Sequence, residues 1–299
     1  NKFTAIMKAK LFLSVIAMTM FASCEIVEVQ EIVIEPGNLE ETPVFSAFTE
    51  GEPQTRTAIS GYHNSSNCYS LNWEEGDEIS ISDGTNTATF VTDDNGSNSA
   101  VFTCKTGKVK NTADTYTAFY PSCITPANMV LPATRNYMED NVEEFPMYAV
   151  SESKDLDFKN LCGIIRFSIK SDETGSVNIS KISLSSDNLG MSGEFTVDED
   201  HAAVVKGTDG IVLTCKESVS LYKSVETDFN IVVPKGSYNP LKVKVVDENG
   251  REINLESQSA IDVKRSEITK IRLTLSSSTF DSSLEMIPIT ESDVEFTDR

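Results

Sequence analysis

Cys24 is the residue best placed to do chemistry. It closes Phe21-Ala22-Ser23-Cys24, two small residues and a thiol at the end of the apolar run 11–20, which follows the basic start Met7-Lys8-Ala9-Lys10. The run is well short of the ~20 residues a membrane-spanning helix needs. A basic start, a short apolar stretch and small residues before a cysteine read as a bacterial lipoprotein signal over residues 1–23, in preference to an ordinary secretory signal or a buried strand. Cleavage before Cys24 leaves its thiol to carry diacylglycerol, and the lipid then tethers everything that follows to a membrane surface. Residues 1–6 precede Met7 and read as upstream sequence or a fragment edge.

Arg56, in Thr55-Arg56-Thr57, is the second reactive position. It is the only arginine in the first hundred residues and follows Gly51-Glu52-Pro53-Gln54. Such a stretch is exposed and extended, the geometry a protease requires. On composition alone it reads as an ordinary surface arginine. Other chemistry is sparse. The two histidines, His63 and His201, both lie in polar, loop-like surroundings, and no catalytic triad order, nucleophile elbow, H-E-x-x-H or phosphate loop is present. Glu74-Glu75-Gly76-Asp77-Glu78 reads as a turn. Asp93-Asp94-Asn95-Gly96 fails calcium-loop spacing, because its glycine is fourth and not sixth. Trp73, the only tryptophan, stands two places after Leu71 in an alternating stretch, so it points to the core rather than forming a carbohydrate platform. The chain is therefore expected to be no enzyme and to need no metal or cofactor.

There are six cysteines. With Cys24 lipidated an odd number remains, no C-x-x-C occurs, and no pairing among Cys68, Cys104, Cys123, Cys162 and Cys215 can be assigned. Cys104, Cys162 and Cys215 sit in or beside apolar runs and read as small buried hydrophobes. The 46 acidic against 25 basic residues give a net charge of −21. Loss of Lys2, Lys8 and Lys10 with the signal makes the mature chain more acidic still, which argues against nucleic acid as a partner.

Short alternating runs must position these residues. Ile271-Arg272-Leu273-Thr274-Leu275 and Leu241-Lys242-Val243-Lys244-Val245 show a period of two, one face to a core and one to water. Asp94-Asn95-Gly96 and Glu248-Asn249-Gly250 supply hairpin turns. Many short strands at this spacing predict an all-β chain of sandwiches. A polar stretch at 151–155 divides it into two halves. The acidic, β-prone segment after Cys24 ends at Pro36-Gly37, and the tail 276–299 carries apolar residues with no evident place to bury them.

The order of these features resembles the fimbrillin-like family, the lipoprotein pilins of type V pili from anaerobic gut and oral Gram-negative bacteria. The resemblance spans nearly the whole chain. Its residues are Phe21-Ala22-Ser23-Cys24, Thr55-Arg56-Thr57, Asn72-Trp73-Glu74-Glu75-Gly76-Asp77-Glu78-Ile79, Tyr116-Thr117-Ala118-Phe119-Tyr120-Pro121, Leu131-Pro132, Phe145-Pro146-Met147 and Phe158-Lys159-Asn160-Leu161-Cys162-Gly163. Val232-Val233-Pro234-Lys235-Gly236-Ser237-Tyr238 and Arg265-Ser266-Glu267-Ile268 complete it. Where the family often has glutamine after Leu-Pro, this chain has Thr134-Arg135.

The resemblance implies two transthyretin-like, Greek-key β-sandwich domains in tandem, 57–155 and 156–275. It implies a pro-segment 24–56 that holds a removable edge strand around Val44-Phe45-Ser46-Ala47-Phe48. An arginine-directed protease would cut after Arg56, so that the mature subunit begins at Thr57. Loss of the strand would open a groove for a strand from another pilin subunit. The tail 276–299 is the candidate donor, although Pro288 cannot give a ladder hydrogen bond. The implied setting is the outer membrane, through the lipid on Cys24, and the cell surface or fimbrium, with adhesion as the role and no ligand specified. The alternative from a different class is a monomeric surface lipoprotein that binds glycans for nutrient uptake.

Overall fold

Alternation sets the strands. In Ile268–Leu275 the side chains of Thr269, Ile271, Leu273 and Leu275 are buried while Arg272 and Thr274 face water. Leu241–Asp247 repeats the pattern and turns through Glu248-Asn249-Gly250 into Glu252–Ser257. Gly250 takes φ 78°, a conformation in which a side chain would strain the turn. The computed structural model describes residues 42–50, 71–173, 177–281 and 286–296, all within the unit Glu40–Arg299. The signal 1–23, Cys24, Arg56, Thr57, His63 and Cys68 lie outside the described residues.

The first half supplies β1 (Phe45–Phe48), β2 (Glu78–Ser82), β3 (Thr87–Thr92), β4 (Ser99–Thr106) and β5 (Tyr116–Tyr120). After these come β6 (Val130–Leu131), β7 (Thr134–Asn136), β8 (Met147–Ser151), β9 (Asp155–Asp157) and β10 (Lys159–Asn160). Eight of them form one sheet in the order β10-β8-β5-β2-β3-β4-β1-β9. Only Phe158 separates β9 from β10, so the two ends of the sheet are neighbours in the chain and the sheet curls until its edges meet. Its interior packs Phe45, Trp73, Phe90, Phe102, Phe119 and Phe158.

The second half is a sandwich. One sheet runs Thr227–Pro234, Cys162–Ser171, Ile268–Leu275, Val294–Phe296. The other runs Met286–Ile289, Glu252–Ser257, Leu241–Asp247, Asn178–Ser186, Ile211–Ser220 and β7. Phe167, Phe229 and Ile271 of the first sheet share one core with Ile182, Val245 and Leu255 of the second. The chain is all-β, as its alternation predicts; among the described residues the helical elements are the five-residue α-helix Ser277–Asp281 and the 3-10 turn Glu291–Asp293.

The halves are less separate than a polar break at 151–155 suggests. The first sheet continues to Asn160, so a division between residues 155 and 156 falls inside β9. In return β6 pairs with Gly193–Val197 and β7 runs parallel to Ile211–Ser220. The cysteines read from sequence as buried are so at Cys162 and Cys215; burial pushes these thiols up to about 12 and about 11. Cys104 is only half-buried, its Sγ 3.7 Å from the Gly107 carbonyl.

Candidate functional site

The site is the slot that β1 fills. Period two turns Phe45, Ala47 and Thr49 inward and leaves Phe48 partly exposed. The Phe45 ring meets Phe90 and Tyr116 edge-on, at centroid distances of 5.1 and 4.9 Å. Burial of such a ring contributes ~1.5–3 kcal/mol. Trp73 lies beside it, with only 1% of its surface exposed, and packs edge-on against Phe102, Tyr120 and Phe158. Its indole N–H donates to the Ala47 carbonyl at 3.2 Å, so the buried tryptophan also pins the strand's backbone. Thr49 Oγ1 donates to the Leu71 carbonyl.

Both backbone edges of β1 are occupied. It runs antiparallel to β4, Phe45 opposite Phe102 and Phe48 opposite Ser99, and parallel to β9, Ser46 opposite Asp155. The Ser46 N–H donates to the Lys154 carbonyl at 2.9 Å, the Thr49 N–H to Asn98 at 2.8 Å, and Phe158 N–H to the Phe48 carbonyl at 2.8 Å. This corrects the expectation of an edge strand. β1 lies one place in from the sheet's end, because β9 folds back along its outer side. Its removal would therefore open a slot bounded by two strands, with unpaired groups on each wall and the Phe45 and Ala47 positions empty beneath.

A second anchor follows the strand. Glu50 reaches the other half of the molecule, where the Arg265 guanidinium grips its carboxylate with both terminal nitrogens, Nη2 at 2.9 Å from Oε1. The Asn160 N–H donates to Oε2 at 3.0 Å and Ser266 Oγ at 3.3 Å. Burial alone would raise the Glu50 pKa. The Arg265 and Asn160 hydrogen bonds, with the charges of Arg265 and Lys159, outweigh it and hold the carboxyl below its ordinary 4.5. A carboxyl held low stabilises the fold fully above its unfolded value and loses that contribution as pH falls through the lower folded one. The stability difference between wild type and Glu50→Gln should accordingly be constant above about pH 4.5 and shrink below it, in urea midpoints taken from pH 7 to pH 3. Taking the difference removes Asp83, Asp198, Glu226 and Asp247, whose carboxyls are also held low.

The tail, read from sequence as having nowhere to bury its apolar residues, is docked on its own half. Phe280 and Ile289 are buried, Met286–Ile289 pairs in parallel with Glu252–Ser257, and Val294–Phe296 pairs with Ile268–Leu275. The Arg251 guanidinium lies 5.6 Å from the Phe280 ring centre. Pro288 sits on the outermost strand of its sheet, where a missing N–H is tolerated.

His201 is exposed in the turn after Asp198, with φ 60°. Gly76 and Asp77 form a turn in which Asp77 N–H donates to the Glu74 carbonyl at 3.0 Å. Among the described residues no group of three or more His, Cys, Asp or Glu is arranged to hold a metal ion. Sequence reasoning missed Glu50 and the role of Arg265; the only available signal was the place of Arg265-Ser266 in the family pattern.

No family model matches this chain, and no curated protein does. Among solved structures it is similar to a candidate cell adhesion protein of Bacteroides ovatus ATCC 8483 at 15% identity and a TM-score of 0.48, covering 77% of this chain and 91% of that one. A candidate cell adhesion protein of Bacteroides uniformis ATCC 8492 aligns at 15% identity and a TM-score of 0.43, over 86% and 96%. The tip fimbrial protein of Porphyromonas gingivalis with C-terminal truncation aligns at 8% identity and 0.30, over 77% and 95%. These neighbours are described as cell adhesion and fimbrial proteins.

Proposed function

We propose that this chain is a structural or accessory subunit of a type V pilus. In this reading it is exported as a lipoprotein on Cys24, cut between Arg56 and Thr57, and assembled by strand exchange at the slot of β1. It performs no catalysis and serves adhesion from the cell surface. One observation carries the reading. β1 completes the first core and is hydrogen-bonded on both sides, yet it lies on the N-terminal side of Arg56. A cut there severs its covalent link to the body it stabilises and leaves it held by hydrogen bonds, packing and Glu50. The vacated slot exposes apolar surface and two rows of backbone groups, which a strand from a second subunit satisfies together.

Arg56→Ala tests this. The variant should accumulate as lipidated precursor, without the heat-resistant oligomer ladder of the wild type on denaturing gels, and surface-exposed wild-type protein should begin at Thr57. Normal fibres from the variant overturn the proposal. A monomer with an acylated Cys24 that is retained on polysaccharide gels favours the glycan-binding lipoprotein instead.

A further inference from the structure

We propose that Asn160, Arg265 and Ser266 form a carboxylate seat at the end of the slot, and that in the assembled fibre Glu291 from the tail of a second copy of this chain fills it. The inference rests on the strand-exchange reading above. The seat is built from both halves: Asn160 ends β10, while Arg265 and Ser266 lie in the turn between Ile261–Val263 and Ile268–Leu275. Asn160 and Ser266 are buried. They are tied together by Asn160 Nδ2 donating to Ser266 Oγ at 3.1 Å, and Arg265 Nη1 donates to the Asn160 carbonyl at 3.1 Å. Ser266 holds φ 63°, and its N–H donates to the Cys162 carbonyl at 3.0 Å. A guanidinium, a backbone N–H and a hydroxyl therefore converge on one place from backbone that is itself pinned. The carboxylate now there belongs to Glu50, which departs with the pro-segment. Charge-assisted donors aimed at one point select another carboxylate over a neutral group.

The tail carries one at the matching distance. β1 reads Phe45-Ser46-Ala47-Phe48 and is followed by Thr49-Glu50; the tail strand reads Met286-Ile287-Pro288-Ile289 and is followed by Thr290-Glu291. Both are strands of four residues with a threonine and a glutamate directly after them. With these aligned, Met286 takes the deep Phe45 position, Thr290 repeats the Thr49 hydroxyl and Glu291 meets Arg265. The tail's other threonine-acid pair, Thr297-Asp298, would put Glu295 in the position of Ala47, which is fully buried. Pro288 in that same position lacks the N–H that alternation directs at β4, so a ladder bond is lost and the ion pair gains weight in setting register. A slip of two residues would carry the carboxylate about 7 Å out of the seat. Glu291 is exposed in the docked tail.

The test uses precursor cut with an arginine-specific protease and a labelled synthetic peptide of residues 284–299, in excess, read by fluorescence anisotropy. A peptide of residues 42–50 is the reference occupant. Both should bind cut protein and not uncut protein. Glu291→Gln in the first peptide and Glu50→Gln in the second should each weaken binding by about tenfold or more, with the native peptides losing affinity as salt rises. Equal binding of native and Glu291→Gln peptides overturns the seat while strand exchange stands. Binding of 42–50 without binding of 284–299 overturns the occupant. Failure of both native peptides overturns the reading on which the inference rests. Because the substitutions are in the peptides, no outcome depends on whether a variant protein folds.

Discussion

Phe45→Ala should destabilise the precursor by about 3–5 kcal/mol. Phe45 is fully buried, and two aromatic rings close on it edge-to-face. Truncation removes its transfer free energy and leaves a cavity that Phe90 and Tyr116, each fixed in a sheet strand, cannot collapse to fill. The remaining inward residue of the four-residue strand is Ala47, so no other side chain of β1 compensates. Urea unfolding measures the loss. Native-state hydrogen exchange locates it: the Ser46 amide should lose protection strongly while amides of Ile165 and Ile231 in the second core change little. A cost below about 1 kcal/mol would mean that the strand is held by its backbone and Glu50 rather than by core packing.

The second large effect is expected at Gly163, where a glycine admits a close approach. A Cβ there would lie 2.2 Å from the Lys264 carbonyl, 2.8 Å from Val263 Cγ1 and 3.2 Å from the Glu267 carbonyl. The nearest atom is backbone and cannot rotate away, so Gly163→Ala should cost about 1–3 kcal/mol or more. The consequence reaches the slot. The turn that crosses Gly163 carries Arg265 and Ser266, and it is stitched to the strand by Ser266 N–H to Cys162 and Ile164 N–H to Glu267, both at 3.0 Å. Pushing the turn outward moves Arg265 from Glu50. Glu50→Gln should therefore cost less in the Gly163→Ala background than in the wild type, a non-additivity that a double-mutant cycle reads directly. Strict additivity would show that the turn yields without displacing Arg265.

Much of the architecture was legible because it depends on local pattern. Alternation in Leu241–Asp247 and Ile268–Leu275 named both strands and their buried faces, and Glu248-Asn249-Gly250 named the turn that follows the first of them. The inward course of Trp73 followed from its spacing to Leu71. Its hydrogen bond to Ala47 did not, since nothing in the period of one segment tells which backbone lies across the core.

The difference lies in the range of the forces involved. Side-chain period, turn residues and the small-residue approach to Cys24 act over a few neighbours, so the sequence by itself determined the all-β class and strands such as Leu241–Asp247 and Ile268–Leu275, with the lipid on Cys24 an expectation from its short signal and the cut after Arg56 one from the family resemblance. Three features needed the folded chain: β9 lying outside β1, the tail finding a berth for Phe280 and Ile289, and Glu50 meeting Arg265 from 215 residues away. Each depends on where a curled sheet brings its ends, and that is set by the packing of the whole core rather than by any one stretch of residues.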